Sequence, residues 1–332
     1  MRALRILRPG SPEGLELADA PEPTVGPADL LVEVHATALN RADLLQVLGR
    51  YPPPPDAPQD IPGMEYAGTV VATGLRVQRF KRGDRVMGLV GGGAFAERLA
   101  THEREALPIP DSLSSESAAA VPEAFLTAFD ALVLQGGLRP QARVLVHAAA
   151  SGVGTAALQL VHSYRGEAIG TARSASKLLR CQPLAPFQSL LVESGEPRFA
   201  ERVLALTQGY GVDIVLDLVG GRYLGESLAC LAPRGRLLQV GTLDGVRADL
   251  DLRQLMGRRA QLIGTLLRSR PLEEKIALAR SFEAQVLPDF ASGALRPVVD
   301  EVLPVQQVRA GLERMAGNTS FGKLVLSWEK AA

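Results

Sequence analysis

With 332 residues, 46% of them apolar and 22% charged, the chain has the make-up of an ordinary globular protein of about two domains. Its 36 basic and 36 acidic residues cancel, so no charge surplus points to nucleic acid or an anionic membrane surface as a partner. No apolar run is long enough to span a bilayer, Met1 leads straight into a short alternating strand, and two cysteines, Cys181 and Cys230, exclude a disulfide framework, so a cytoplasmic protein is expected.

Residues 1 to about 120 read as short strands separated by Gly and Pro, the pattern of a compact β domain. Leu4–Ile6 and Leu15–Leu17 flank Pro9-Gly10, and Leu30–Ala38 alternates as a longer strand. Asn40 opens a short helical segment, and the run Pro52–Pro55 must be an extended loop without backbone donors. Gly63–Val71 and the segment after Gly83-Asp84 return to strand. From Ser117 the pattern changes, and Ala118–Leu134 reads as one helix. Strands are then expected at 143–148, 167–172, 189–192, 212–218, 236–241 and 260–267, and helices near 153–163, 199–208, 223–231 and 251–258. Such alternation predicts a doubly wound parallel sheet. A long helix at 272–290, a strand at 298–303, a helix at 305–316 and a strand at 323–326 end the chain.

The most informative stretch is Arg143–Val161. A Val/Leu run leads through a turn of small residues, Ala148-Ala149-Ala150-Ser151, into a helix that starts Gly152-Val153-Gly154. Strand, tight turn and helix N-terminus together make a place where backbone N–H groups and the helix dipole can hold a pyrophosphate. Two glycines of the usual G-x-G-x-x-G fingerprint are replaced here by Ala149 and Ser151, so a plain strand–helix connection is the competing reading. The next strand ends Thr171-Ala172-Arg173-Ser174-Ala175-Ser176-Lys177. An NAD site wants an acid there for the ribose 2′-hydroxyl; two cations and two serines suit a 2′-phosphate instead, and so NADPH. The bland alternative is a pair of solvated cations, though a helix start is a poor place for them.

These residues resemble the medium-chain dehydrogenase/reductases, and among them the zinc-free, zeta-crystallin-like quinone oxidoreductases. The matching runs are Ala38–Leu44, Gly49–Pro54, Pro122–Phe129, Ser151–Ala157, Leu266–Arg270 and Gly322-Lys323, in the right order along nearly the whole chain. The resemblance implies a GroES-like, β-rich catalytic domain of residues 1–123 plus 267–332, closing on a Rossmann cofactor domain of residues 124–266, with the nicotinamide at the floor of the cleft. It implies a homodimer joined through the sheet edge near 236–241 and 260–267. It places Tyr51, Asn40 and Thr127 near the nicotinamide, with Tyr51 and Asn40 as the catalytic pair. Ser151, Gly152 and Val153 would cradle the pyrophosphate, Arg173, Ser174 and Lys177 the 2′-phosphate, and Gly241, Thr242, Leu266, Leu267 and Ser269 would line the nicotinamide side. The run Arg180–Phe187 departs from the family, its two prolines stopping the helix early.

Zinc dehydrogenases of this superfamily carry Cys and His ligands where Asn40 and Met64 stand, and a four-cysteine lobe that is missing here. The four histidines, His35, His102, His147 and His162, are not at ligand spacing, and His35 and His147 read as satisfied strand residues. The expected activity is metal-free transfer of hydride from NADPH to a quinone or conjugated carbonyl, whose π system spreads the developing charge. Tyr51 can instead be a turn aromatic packed on the proline loop, and Asn40 a helix N-cap. A reductase of enoyl thioesters and a low-turnover NADPH-binding sensor are the rival functions.

Overall fold

A computed structural model describes residues 1–193 and 195–328. The N-terminal region forms β1 (Arg2–Ile6), β2 (Leu15–Asp19), β3 (Asp29–Ala38), α1 (Arg41–Val47), β4 (Glu65–Thr73), β5 (Arg85–Leu89), β6 (Arg98–His102), β7 (Leu107–Pro108), α2 (Ser115–Ala119) and α3 (Pro122–Phe129). The middle alternates through β8 (Arg143–Val146), α4 (Gly152–Ser163), β9 (Glu167–Ala172), α5 (Ala175–Cys181), β10 (Gln188–Leu191), α6 (Ala200–Leu206), β11 (Val212–Asp217), α7 (Tyr223–Ala229), β12 (Leu231–Gln239), α8 (Leu252–Arg258) and β13 (Gln261–Gly264). The last part adds α9 (Leu272–Gln285), α10 (Leu287–Ala291), β14 (Val299–Pro304), α11 (Val308–Ala316) and β15 (Lys323–Ser327). Two compact units result, Met1–Leu126 with the chain from Leu267 onward, and Thr127–Leu266.

The second unit is a six-stranded parallel sheet in the order β10-β9-β8-β11-β12-β13. Counted within the unit this is 3-2-1-4-5-6, the doubly wound order whose direction reverses between its first and fourth strands. β8 and β11 flank that reversal. Their residues Val144, Leu145, Val146, Val215 and Leu216 are fully buried, as strands covered on both faces must be. Phe199, Tyr223 and Leu228 from the helices close the core over Leu145 and Ile169.

The first unit holds a seven-stranded sheet running β14-β15-β3-β4-β5-β7, with β6 also paired to β3. The last strand therefore sits beside a strand from the first forty residues. β15 runs antiparallel to β3, with Val325 opposite Ala38 and Leu326 opposite Thr37. One face buries Leu30, Val32, Val34, Tyr66 and Val70, and another core gathers Leu4, Leu15, Leu44, Phe95, Leu312 and Leu324.

Several elements differ from the sequence reading for identifiable reasons. The helix expected at 118–134 is three pieces, α2, α3 and a π-helical stretch at Asp130–Gln135. Pro122 opens α3 at its first position, where its missing N–H costs nothing, and pushes Val121 out of helical backbone. The helix expected at 272–290 breaks at Val286, because Pro288 cannot bond the carbonyl of Ala284 and its ring would strike it. β12 begins at Leu231 rather than 236; the Pro233-Arg234-Gly235 run is a bulge between Val212↔Leu231 and Ile214↔Arg236, not a turn before the strand. α5 ends at Cys181, as its following prolines require.

Gly154 shows how tightly α4 packs on its turn. A Cβ there would lie 2.3 Å from the Ala148 carbonyl oxygen. Gly154→Ala should therefore lower stability by about 1–3 kcal/mol, read from the urea midpoint.

Candidate active site

In the first unit the site is built by strand register. Continuing the β15–β3 pairing brings Lys323 level with Asn40, at the end of β3. The Lys323 ammonium donates to Asn40 Oδ1 at 2.6 Å and pairs with Glu65 Oε1 of β4 at 2.5 Å, both side chains buried. Asn40 Nδ2 donates to Glu65 Oε1 at 2.9 Å and to the Ala38 carbonyl at 3.2 Å. The other Glu65 oxygen accepts the Glu123 N–H of α3 at 2.8 Å. Asn40 is also the residue before α1, and Asp43 reaches back to its N–H at 2.8 Å. The second Asp43 oxygen takes the Gly63 N–H at 3.1 Å. Burial nevertheless pushes the Asp43 carboxyl up, to about 6, against these hydrogen bonds.

Arg268, 3% exposed, extends the cluster toward Tyr51. Its Nε donates to the Gly91 carbonyl at 2.7 Å, its Nη2 to Gln46 Oε1 at 2.5 Å, and its guanidinium carbon lies 5.3 Å from the centre of the Tyr51 ring. Burial raises the Tyr51 phenol above its usual value, with the Arg268 cation opposing and the Glu123 carboxyl reinforcing. The Tyr51 ring thus meets a buried cation. Leu267 and Ser269 also belong to this unit: Leu267 is buried with Leu89, Leu126 and Leu278, while Ser269 is exposed. Among the described residues, no group of three or more His, Cys, Asp or Glu is arranged to hold a metal ion.

In the second unit, β8 runs into a turn in which Ala148 takes a left-handed φ of 50°. Ser151 caps α4, its Oγ accepting the Gly154 N–H at 3.1 Å. Gly152 and Val153 form the half-buried tip, where the first helical N–H groups lack intrahelical partners. On the neighbouring strand, β9, Arg173 is exposed and Ser174 caps α5, accepting the Lys177 N–H at 3.4 Å. Arg173 also acts electrostatically on Tyr223 and on Asp244, whose carboxylate is held by Arg222 at 2.5 and 2.9 Å. Gly241 and Thr242 follow β12; Gly241 lies so close to the Leu218 carbonyl that a Cβ would come within 2.6 Å. These three turns all lie at the carboxyl ends of parallel strands, where ligands of such sheets bind. Two buried polar atoms of this unit, Thr127 Oγ1 and Asp217 Oδ2, have no hydrogen-bond partner among the described residues, which suits a polar ligand. Leu266 is exposed just past β13.

The comparisons agree with this geometry. Residues 26–111 match the alcohol dehydrogenase GroES-like domain and residues 191–326 the zinc-binding dehydrogenase family. The mouse quinone oxidoreductase-like protein 2 is 30% identical over 93% of this chain and 87% of its own length. The chain belongs to the medium-chain dehydrogenase/reductase family. Members among the solved structures include an NAD-dependent alcohol dehydrogenase (31% identity, TM-score 0.88, 99% of this chain and 100% of that one) and a mycobacterial protein complexed with NADPH (28% identity, TM-score 0.87, 98% of this chain and 100% of that one).

 The enoyl reductase CurK is 27% identical, with a TM-score of 0.83 over 98% of both chains. The chain also matches the polyketide synthase system protein NorB of Streptomyces orinoci at 35% identity over 97% of its own length, but only 14% of NorB. It is accordingly a nicotinamide-dependent oxidoreductase of this family.

The structure brings Asn40 and Tyr51 into one buried charged cluster, and Ser151, Gly152, Val153, Arg173, Ser174 and Lys177 onto adjacent strand ends. Asn40 both precedes α1 and joins the cluster, so its two readings are compatible. Both of its amide hydrogens are already engaged, which makes it a positioning residue. His147, expected in a strand, lies in the turn just past β8 and is satisfied between Thr171 and Ser227. Sequence reasoning missed Glu65, Lys323, Asp43, Arg268 and Glu123. The available signal was a set of charges inside otherwise apolar strands and helix starts, such as Glu65 between Met64 and Tyr66. Because Glu65 is fully buried, Lys323→Met should cost about 3–5 kcal/mol in urea unfolding, and the double change with Glu65→Gln should recover much of it.

Proposed function

We propose that the chain is an NADPH-dependent, metal-independent reductase of quinones or other conjugated carbonyl acceptors. The observation that carries this reading is the Asn40–Lys323–Glu65 arrangement. The Asn40 oxygen already accepts from an ammonium, and that ammonium would repel a metal cation placed beside it. The site thus offers no Lewis-acid donor set, and an acceptor must spread its own developing charge.

The tip of α4 fits a pyrophosphate, with Ser151, Gly152 and Val153 around it. Arg173, Ser174 and Lys177 supply charge and hydroxyl for a 2′-phosphate, and no acid stands at the end of β9 to favour NAD. NADPH bound there would supply the hydride. In this reading Thr127, Gly241, Thr242 and Leu266 of the second unit line the nicotinamide. Tyr51 orients the acceptor and gives its oxygen a proton, while Asn40 holds Lys323 and Glu65 in place.

A reductase of enoyl thioesters is the second reading, favoured by the similarity to CurK and NorB. Following NADPH absorbance with a naphthoquinone, a simple enone, an enoyl thioester and a saturated ketone separates the two. The quinone and enone should be the fast pair; a thioester preference would favour the second reading, and equal rates with the saturated ketone would overturn the first. Tyr51→Phe should slow quinone reduction about tenfold to a hundredfold and leave the KM for NADPH nearly unchanged. Lys177→Ala should raise the KM for NADPH about tenfold and that for NADH little.

The reading includes a homodimer. β13 is the outer strand, paired only with β12, and Leu252, Met256 and Leu262 beside it are exposed. Sedimentation at micromolar concentration should show a dimer, and Leu262→Lys should shift it toward monomer.

A further inference from the structure

At the carboxyl end of the parallel sheet, one arginine ties together three connections that follow different strands. The turn after β11 is built first. Asp217 Oδ1 accepts the Val219 and Gly220 N–H groups at 2.7 and 2.9 Å, and Gly220 and Gly221 then take left-handed φ of 65° and 54°. A Cβ on Gly221 would lie 2.7 Å from Asp244 Oδ2, so the missing side chain is what lets the loop after β12 approach. That loop, residues 240–250, lies between β12 and α8. Its Asp244 N–H reaches the Val219 carbonyl at 2.8 Å, and Gly245 pairs with Gly220 as an isolated parallel bridge. Arg222, the residue before α7, closes the arrangement. Its own N–H and its Nε both donate to Asp244 Oδ2, at 3.0 and 2.9 Å, and its Nη2 donates to Oδ1 at 2.5 Å. Its Nη1 donates to the carbonyl of Gly195, past the end of β10, at 2.6 Å.

An exposed ion pair ordinarily adds little. This one differs in geometry: the guanidinium meets the carboxylate with two parallel N–H groups, the Asp244 side chain is only 16% exposed, and the same arginine reaches a third segment. An irregular loop is otherwise costly to order, and a ligand that must order it on arrival loses affinity by that cost. Gly241 and Thr242 begin the same loop, and Gln239 Nε2 donates to the Gly241 carbonyl at 2.6 Å. We propose that Arg222 and Asp244 are positioning residues for the dinucleotide, a clasp that holds Gly241 and Thr242 in the conformation that receives its nicotinamide half before it arrives. This rests on the cofactor reading above. It concerns the nicotinamide half alone, since Arg173, Ser174 and Lys177, assigned to the 2′-phosphate, follow β9 on the other side of β8.

The test removes both partners. Arg222→Ala together with Asp244→Ala opens the clasp without leaving a bare carboxylate to draw on Arg173, which acts electrostatically on Asp244. Calorimetric titration with NADPH and with 2′,5′-ADP, its adenosine half alone, reads the two halves separately. NADPH should bind about tenfold more weakly than to the wild-type chain, and 2′,5′-ADP should stay within about twofold. In the free protein the amide hydrogens of Asp244 and Gly245 should exchange about tenfold faster. Arg222→Lys, which keeps the charge and loses the fork, should weaken NADPH in the same direction. Equal loss of both affinities, an unchanged NADPH affinity, or unchanged exchange at the two amides overturns the proposal. If the wild-type chain bound neither NADPH nor 2′,5′-ADP, the cofactor reading would fall and the proposal with it, while the exchange rates would still show whether the clasp orders the loop.

Discussion

The Lys323–Glu65 ion pair is the constraint on which the first unit depends. Two buried charges are costly to strip of water, and they are tolerable only with short, saturated contacts. Here the register of β15 against β3 supplies them, setting Lys323 beside Asn40 and Glu65. The pairing ties residues 283 positions apart in sequence, so the last strand cannot slip by one residue without turning Lys323 to the other face. The sheet and the charged cluster are therefore specified together. The same contacts fix the Asn40 amide, seat the start of α3 through the Glu123 N–H, and leave Asp43 free to order α1.

This explains what was legible in the sequence. The parallel sheet was, because its central strands β8 and β11 are local Val/Leu/Ile runs and its strands alternate with helix-forming stretches; β9 matches its expected bounds, and β8, β10 and β11 fall within two residues of theirs. The turn at Ala148–Ser151 was legible because small residues before a helix start are a local signal. The charged cluster was not, because Asn40, Glu65, Glu123 and Lys323 lie on separate elements and meet only through long-range register. Pro122 and Pro288 were visible, but the strong helix formers around them masked the breaks they cause. The contact of Arg268 with the Tyr51 ring could not be read from spacing either.

The turn between β8 and α4 shows which part of a glycine fingerprint physics requires. Ala148 adopts a left-handed φ of 50° at a cost of about 1–2 kcal/mol, and the turn still closes. Gly154 has no such freedom, since any Cβ would press on the backbone of Ala148 and Ala149. What the turn needs is small side chains at its approach and no side chain at all where α4 meets the strand end. A motif written as three glycines obscures that difference, and Ser151 adds a cap that glycine cannot provide.

The two units also divide the electrostatic work. In the second, the strand ends present helix N–H groups, serine hydroxyls, Arg173 and Lys177. In the first, the cluster holds three carboxyls against two cations, and the groups that burial moves toward neutrality are Asp43 and Glu123. A change in pH between about 6 and 8 therefore acts on the cluster. The two units thus carry charge in different kinds of group: permanent dipoles and charges at the strand ends of one, and a buried network of carboxyls and cations in the other.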